Sequence, residues 1–153
     1  MDATITTHPA GSGSTLSTLR GILAQHYRTL GAVSRRLRFL QSADDAQIDK
    51  IAGNAAPDEV LTLEIDDNVH GVLEIFESGG GHAEIGLSIE DAYQGLGYGR
   101  LLFERGLAAV RRRGMTTADL FFSSENTGVR RLVVEQNGTI ERHGGDCEAR
   151  IAL

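Results

Sequence analysis

At 153 residues, with 41% hydrophobic and 24% charged, the chain has the length and balance of one globular domain with its own core. Its formal net charge of -6 argues against a nucleic-acid partner, which needs a basic surface. No apolar run approaches the ~20 residues of a membrane span, so no membrane partner is expected.

The start, Met-Asp-Ala-Thr, lacks the basic and apolar regions of a signal peptide, and one cysteine, Cys147, permits no internal disulfide. Both observations point to the cytoplasm. Thr4 to Thr7 reads as a short strand and residues 9 to 15 as a loop, with residues 1–15 expected to be partly flexible. Leu16, Leu19, Leu23, Tyr27 and Leu30 recur every three or four positions, an apolar helical stripe. Arg35, Arg36 and Arg38 around Leu37 and Phe39 suggest a helix end or an irregular turn. Asp44 to Ala52 reads as a short helix, with Ser42 as its N-cap.

The period then changes to two. Val60 to Ile65 is a strand, Asp66-Asp67-Asn68 a turn, and His70 to Phe76 a second strand. Ser78 to Gly81 is a hairpin loop. His82 to Ile89 is a third strand, with His82, Glu84, Gly86 and Ser88 on one face and Ala83, Ile85, Leu87 and Ile89 on the other. Between Lys50 and Arg100 there is no lysine or arginine, but there are ten acids, from Asp58 to Asp91. Solvated faces explain such a distribution as well as an acidic acceptor site beside an anion-binding site does.

Gln94-Gly95-Leu96-Gly97-Tyr98-Gly99-Arg100 follows the third strand and opens a helix whose stripe is Gly99, Leu102, Phe103, Gly106, Leu107 and Val110. Gly114 suits the C-terminal cap. Ala118 to Phe122 is a buried strand, and Asn126 to Gln136 a shorter helix. Thr139 to Arg142 and Glu148 to Leu153 are strands around a Gly144-Gly145-Asp146 hairpin. The order implies an α/β fold: a mixed, mostly antiparallel central sheet of about six to seven strands flanked by about four helices, with residues 1–153 forming a single domain.

The glycine turn is the chemical centre of this reading. The first N–H groups of a helix have no intrahelical partner, the helix dipole adds positive character there, and glycines let an anion approach the backbone. Two better-known phosphate loops do not fit. There is no Gly-Lys for a P-loop, and Gly99 comes one position too early for G-x-G-x-x-G. A tight strand-to-helix turn without ligand remains the alternative.

Gln94-x-x-Gly97-x-Gly99 resembles the Q/R-x-x-G-x-G/A signature of the GNAT N-acetyltransferase superfamily. Its surroundings, Ala83 to Gly86, a Tyr-Gln-Gly turn and an Arg-Leu-Leu helix, are similar too. Glu125-Asn126, leading into a helix that ends at Gly138, resembles that family's second CoA-contacting segment. Ser34 to Phe39 resembles a segment of the acetyltransferase domain of bacterial protein lysine acetyltransferases. The resemblance implies a GNAT fold and a co-substrate, acetyl-CoA, with no metal. It implies that backbone groups of Leu87, Ser88 and Ile89 pair with the pantetheine arm. Gln94, Gly95, Leu96, Gly97, Tyr98, Gly99 and Arg100 would form the pyrophosphate loop, and Asn126 would contact the pantetheine.

The same resemblance implies an enzyme transferring acetyl to a primary amine, either a protein lysine or a small cationic amine, with a homodimer possible. Glu84 is the candidate base, with Glu74 the runner-up on the neighbouring strand, because a protonated amine cannot attack a thioester. The pattern departs in two places: the late helix reads Leu132-Val133-Val134, where many members carry a tyrosine acid, and Gly138-Thr139 follows it in place of the usual Gly-Phe. A non-catalytic acyl-CoA sensor is the alternative function. His8, His26, His70, His82 and His143 form no metal-ligand spacing and read as ordinary surface or sheet residues, and Cys147 as a buried thiol. Ser123 and Ser124 could bond substrate or cap the next helix.

Overall fold

A computed structural model describes residues 2–11 and 14–153. Seven strands form one sheet in the order β1-β2-β3-β4-β5-β7-β6. They are β1 (Ala3–Pro9), β2 (Glu59–Ile65), β3 (Asn68–Gly79), β4 (His82–Ile89), β5 (Thr117–Ser123), β6 (Thr139–His143) and β7 (Asp146–Ala152). Every pairing is antiparallel except β4 with β5. The fold is the expected α/β arrangement, with five helices where about four were expected: α1 (Leu16–Thr29), α2 (Ala32–Phe39), α3 (Asp45–Asn54), α4 (Tyr98–Arg112) and α5 (Thr127–Glu135).

Two apolar clusters lie on opposite faces of the sheet. One packs Leu102, Phe103, Leu107 and Val110 of α4 on Leu73, Ile75, Ala83, Ile85 and Leu120. The other packs Leu19, Leu23 and Tyr27 of α1 and Ile48 of α3 on Val60 and Val72. The period-two reading of β4 follows from this: Ala83, Ile85 and Ile89 belong to the α4 cluster, while Glu84 and Ser88 face the other way.

The structure differs from the sequence reading in several elements. β1 spans Ala3–Pro9 and pairs with β2 along its whole length, so it is longer than Thr4 to Thr7. Part of the expected 9–15 loop, residues 12 and 13, lies outside the described residues. The arginine-rich segment is neither a helix end nor an irregular turn but the complete helix α2. Gly31 is its N-cap, and Leu40 in the left-handed region (φ 62°) is its C-cap. Arg35 adds to it by donating to the carbonyls of Leu30, Ala43 and Arg28. Ser42 does not cap α3. Asp44 does, in a reciprocal box with Gln47 that satisfies two end donors at once. Strand β3 runs past Phe76 because its ladder with β4 continues to Gly79.

Candidate active site

β4 and β5 run parallel and pair over three residues only, His82 with Thr117, Ala83 with Ala118 and Glu84 with Asp119. Beyond Glu84 and Asp119 they part. The β4 edge from Ile85 to Ile89 is therefore left without a strand partner on its β5 side. In the split lies a small recess lined by Ile85, Gly86 and Leu87 of β4 and Leu120, Phe121 and Phe122 of β5, with Arg38 above it. It adjoins a cleft of about 550 Å³.

One wall of that cleft is Leu87, Ser88 and Ile89 of β4, with Gln94, Gly95, Gly97, Gly99 and Arg100 of the glycine turn. Leu96 and Tyr98 of the predicted loop do not line it; Leu96 points outward, 62% exposed. The opposite wall is Glu125 and Asn126 before α5, and Thr127, Gly128, Val129, Arg131 and Leu132 of α5. Ser34, Leu37 and Arg38 of α2 close the remaining side. These three were missed as site residues, although their i, i+3, i+4 spacing marks one helix face.

The turn has the backbone that its glycines require. Gly97 is the N-cap of α4 at φ 90°, a conformation that side chains with a Cβ rarely adopt, and no side chain caps the helix there. The first N–H groups of α4 are thus free of a protein cap. Gly95 also has positive φ, at 75°. Gln94 holds the turn onto the strand: its Nε2 donates to the Ile89 carbonyl at 2.9 Å and to Ser34 Oγ at 3.1 Å. Asn126 accepts from Val129 N at 3.2 Å, capping α5 while it lines the cleft.

The arginines of α4 and α5 separate. Arg100 makes a two-pronged pair with Glu135, at 3.0 and 2.7 Å. Arg130 turns away, toward Ser124 O and Cys147 Sγ. Arg131 lines the cleft and forms no ion pair among the described residues.

A polar layer lies beneath, on the α1 and α2 side of the sheet. Glu74 is fully buried, accepting the Tyr27 hydroxyl and, at 3.2 Å, Arg38 Nη2. Gly86 makes room for this pair, since a Cβ there would lie 1.9 Å from Arg38 Nη2 and 2.6 Å from Glu74 Oε2. Burial opposes the Arg38 charge, but Glu74 and Tyr27 hold its pKa above the usual arginine value. Burial pushes the Tyr27 hydroxyl up, and Glu74 adds to this. Glu74, so engaged, is not an open proton acceptor.

Glu84 is different. It is exposed, makes no hydrogen bond or ion pair among the described residues, and sits where the strands part. Desolvation raises its pKa; Arg38 lowers it, and Asp119 and Glu74 raise it further. A carboxylate with a raised pKa is a better proton acceptor near neutral pH. None of the ten acids between Lys50 and Arg100 lines the cleft. Several are neutralised elsewhere: Glu59 and Glu77 by Arg113, Glu74 by Arg38.

His26 departs from the surface or sheet position expected, while His82 lies in β4 as expected. His26 is buried on α1, with Nε2 2.9 Å from Ser88 Oγ, and burial lowers its pKa to about 4. His82 stands 2.7 Å from Asp119 through Nδ1. Among the described residues, Glu141, His143 and Glu148 bring ligand-type atoms within 4.8 Å of one another, at the far edge of the sheet. Ser123 Oγ accepts from Glu125 N at 3.2 Å, whereas the cap of α5 is Asn126. No helix among the described residues is long and apolar enough to cross a membrane. Cys147 is buried and unpaired, as expected.

Residues 25–138 match the acetyltransferase (GNAT) family. No curated protein matches by sequence. Among solved structures, the GNAT domain of S. lividans PAT is similar with a TM-score of 0.72 at 18% identity, over 96% of this chain and 89% of that one. The acetyltransferase yncA from Salmonella typhimurium, solved with its cofactor acetyl-CoA, has a TM-score of 0.66 at 19% identity, over 98% and 94%. PaiA N-acetyltransferase from Thermoplasma acidophilum, in complex with coenzyme A, has a TM-score of 0.64 at 13% identity, over 98% and 99%.

Proposed function

The chain belongs to the acetyltransferase (GNAT) family, and from that premise we propose that it transfers an acetyl group from acetyl-CoA to a primary amine by direct attack on the thioester. The observation that carries this reading is the uncapped, glycine-lined start of α4 on the wall of a cleft that continues along the unpaired edge of β4.

The residues fit such a co-substrate. The N–H groups at the start of α4, with the α4 dipole behind them, suit a pyrophosphate. Gly97 and Gly99 keep side chains out of its way, and Arg131 supplies a free cation. The open backbone of Leu87, Ser88 and Ile89 offers hydrogen bonds in strand register to the amide-bearing pantetheine arm, with Asn126 opposite. Acetyl-CoA supplies the activated acyl thioester.

Glu84 accepts the proton of the incoming ammonium, which frees the nitrogen lone pair for attack. Glu74 is a poor base, since Tyr27 and Arg38 already occupy its carboxylate. The cleft residues around the start of α5 are Glu125, Asn126, Thr127, Gly128, Val129, Arg131 and Leu132; the one carboxyl among them, Glu125, is ion-paired with Arg36 and so is not an acid suited to protonating a thiolate. Water supplies that proton.

The acceptor is a cationic primary amine, a protein lysine or a small amine. The support is Glu84, an unpaired carboxylate at the apex of the split, rather than a broadly acidic cleft. Incubation with acetyl-CoA and a panel of amines, read by mass spectrometry of the products, tests the reading. Tight acetyl-CoA binding with no acetylated amine would instead establish a non-catalytic sensor.

A further inference from the structure

His82, Asp119 and Arg150 form a connected line across three strands, on the same sheet face as Glu84. Asp119 is 7% exposed and uses both carboxylate oxygens: Oδ2 meets His82 Nδ1 at 2.7 Å and Oδ1 meets Arg150 Nε at 3.1 Å. The backbone registers enforce the grouping, because Asp119 is aligned with Glu84 on β4 and with Arg150 on β7. A carboxylate held by an arginine is an acceptor, so His82 Nδ1 carries the hydrogen. That fixes the tautomer and leaves Nε2 with a free lone pair. Nε2 has no hydrogen-bond partner among the described residues, and the ring is about one-third exposed.

We propose that His82, oriented by Asp119, is the proton relay that takes the substrate proton from Glu84 and passes it to solvent. This rests on the amine-acetylating function proposed above. Residues i and i+2 on one strand face stand about 6.6 Å apart along the strand, a gap that one water bridges. The ammonium N–H bond breaks and its proton goes to a Glu84 oxygen. It then passes through water to His82 Nε2, and the imidazolium releases a proton to bulk solvent. Glu84 returns to the carboxylate form, and no oxidant or reductant is needed. Arg150 alone would neutralise Asp119, so the His82 bond adds something charge balance does not require.

The charged groups facing His82 are Glu84 of β4, Asp119 of β5 and Arg150 of β7, with Arg38 of α2 and Glu74 of β3 beyond Glu84. Glu77 of β3 is aligned with Ala83 and pairs with Arg113, so it does not face the ring.

The test is His82→Asn, whose amide can still donate to Asp119 from the Nδ1 position. The expected result is a kcat about tenfold lower near pH 7, a KM for acetyl-CoA within about twofold of the original, and a loss that shrinks as pH rises. Added imidazole restores turnover in His82→Ala. Unchanged kcat for His82→Asn across the pH range would overturn the relay. So would a loss that accompanies a lower Tm and that imidazole leaves untouched. Absence of amine acetylation by the unaltered protein would overturn the proposed function itself, and the relay with it; turnover that is indifferent to His82 overturns the relay alone.

Discussion

Glu84 and Asp119 are the last residues to pair in the parallel ladder between β4 and β5, and the strands separate beyond them. The split places a carboxylate without a partner among the described residues at its apex. The same register seats Asp119 between His82 and Arg150. Glu84→Gln keeps the shape and removes the proton acceptor. Turnover should fall by roughly 10²–10⁴, with little change in acetyl-CoA affinity. The pH profile supplies the sign. A base works only when deprotonated, so the Glu84-dependent rate rises with pH through a pKa that partial desolvation sets above the ordinary glutamate value. Steady-state rates from pH 5 to 9 check this; the variant should lose that limb.

The glycines of the turn make separate predictions. Gly97 sits at φ 90°, so Gly97→Val is strained whatever space surrounds it. Gly99 has no such constraint, and a Cβ there meets only Ile89 Cγ1 at 3.9 Å. Gly99→Ala should therefore fold with an unchanged Tm, and any loss of acetyl-CoA affinity then reports a blocked phosphate. Gly97→Val should lose acetyl-CoA binding and also some stability. Calorimetric titration paired with thermal melts separates the two effects.

Arg131, rather than Arg100, is the expected phosphate cation. Arg100 is committed to Glu135, whereas Arg131 lines the cleft without an ion pair among the described residues. Arg131→Gln should weaken acetyl-CoA binding roughly tenfold at low salt, the worth of one charge-assisted hydrogen bond. That difference should shrink as ionic strength rises. An equal or larger effect for Arg100→Gln would reverse the assignment.

His26 predicts a pH dependence of stability. Its folded pKa is about 4, against 6.5 unperturbed, because burial disfavours the cation. The folded protein therefore resists a proton that the unfolded chain takes up. Stability is full above about pH 6.5 and falls as pH drops toward 4, by at most roughly 3 kcal/mol from this residue. His26→Gln should flatten that part of the curve, as measured by denaturant unfolding at several pH values.

Much of the site was legible because it depends on local pattern. The strand-to-helix change of period located the glycine turn, and the alternation of β4 put Glu84 and Ser88 on one face. The rest depends on which elements meet. The Arg100–Glu135 pair exists because the start of α4 and the end of α5 come together, a proximity that neither segment encodes alone. His26 lies three residues after Leu23 and four before Leu30, so its burial was readable from the spacing; its partner, Ser88, was not, because it comes from β4. α2 was obscured by its three arginines, two of which engage protein groups: Arg35 the neighbouring carbonyls and Arg38 the buried Glu74. The ten acids suggested an acidic cleft, yet which acids meet arginines is a matter of topology.

The most direct test of the account is the stoichiometry of transfer. Acetyl-CoA and a cationic primary amine, a lysine peptide or a polyamine, are mixed with the protein; free thiol and acetylated amine are then measured together. Equal amounts of both are expected, with turnover nearly abolished in Glu84→Gln. Thiol released without acetylated amine, or acetyl-CoA bound with neither product formed, would contradict it.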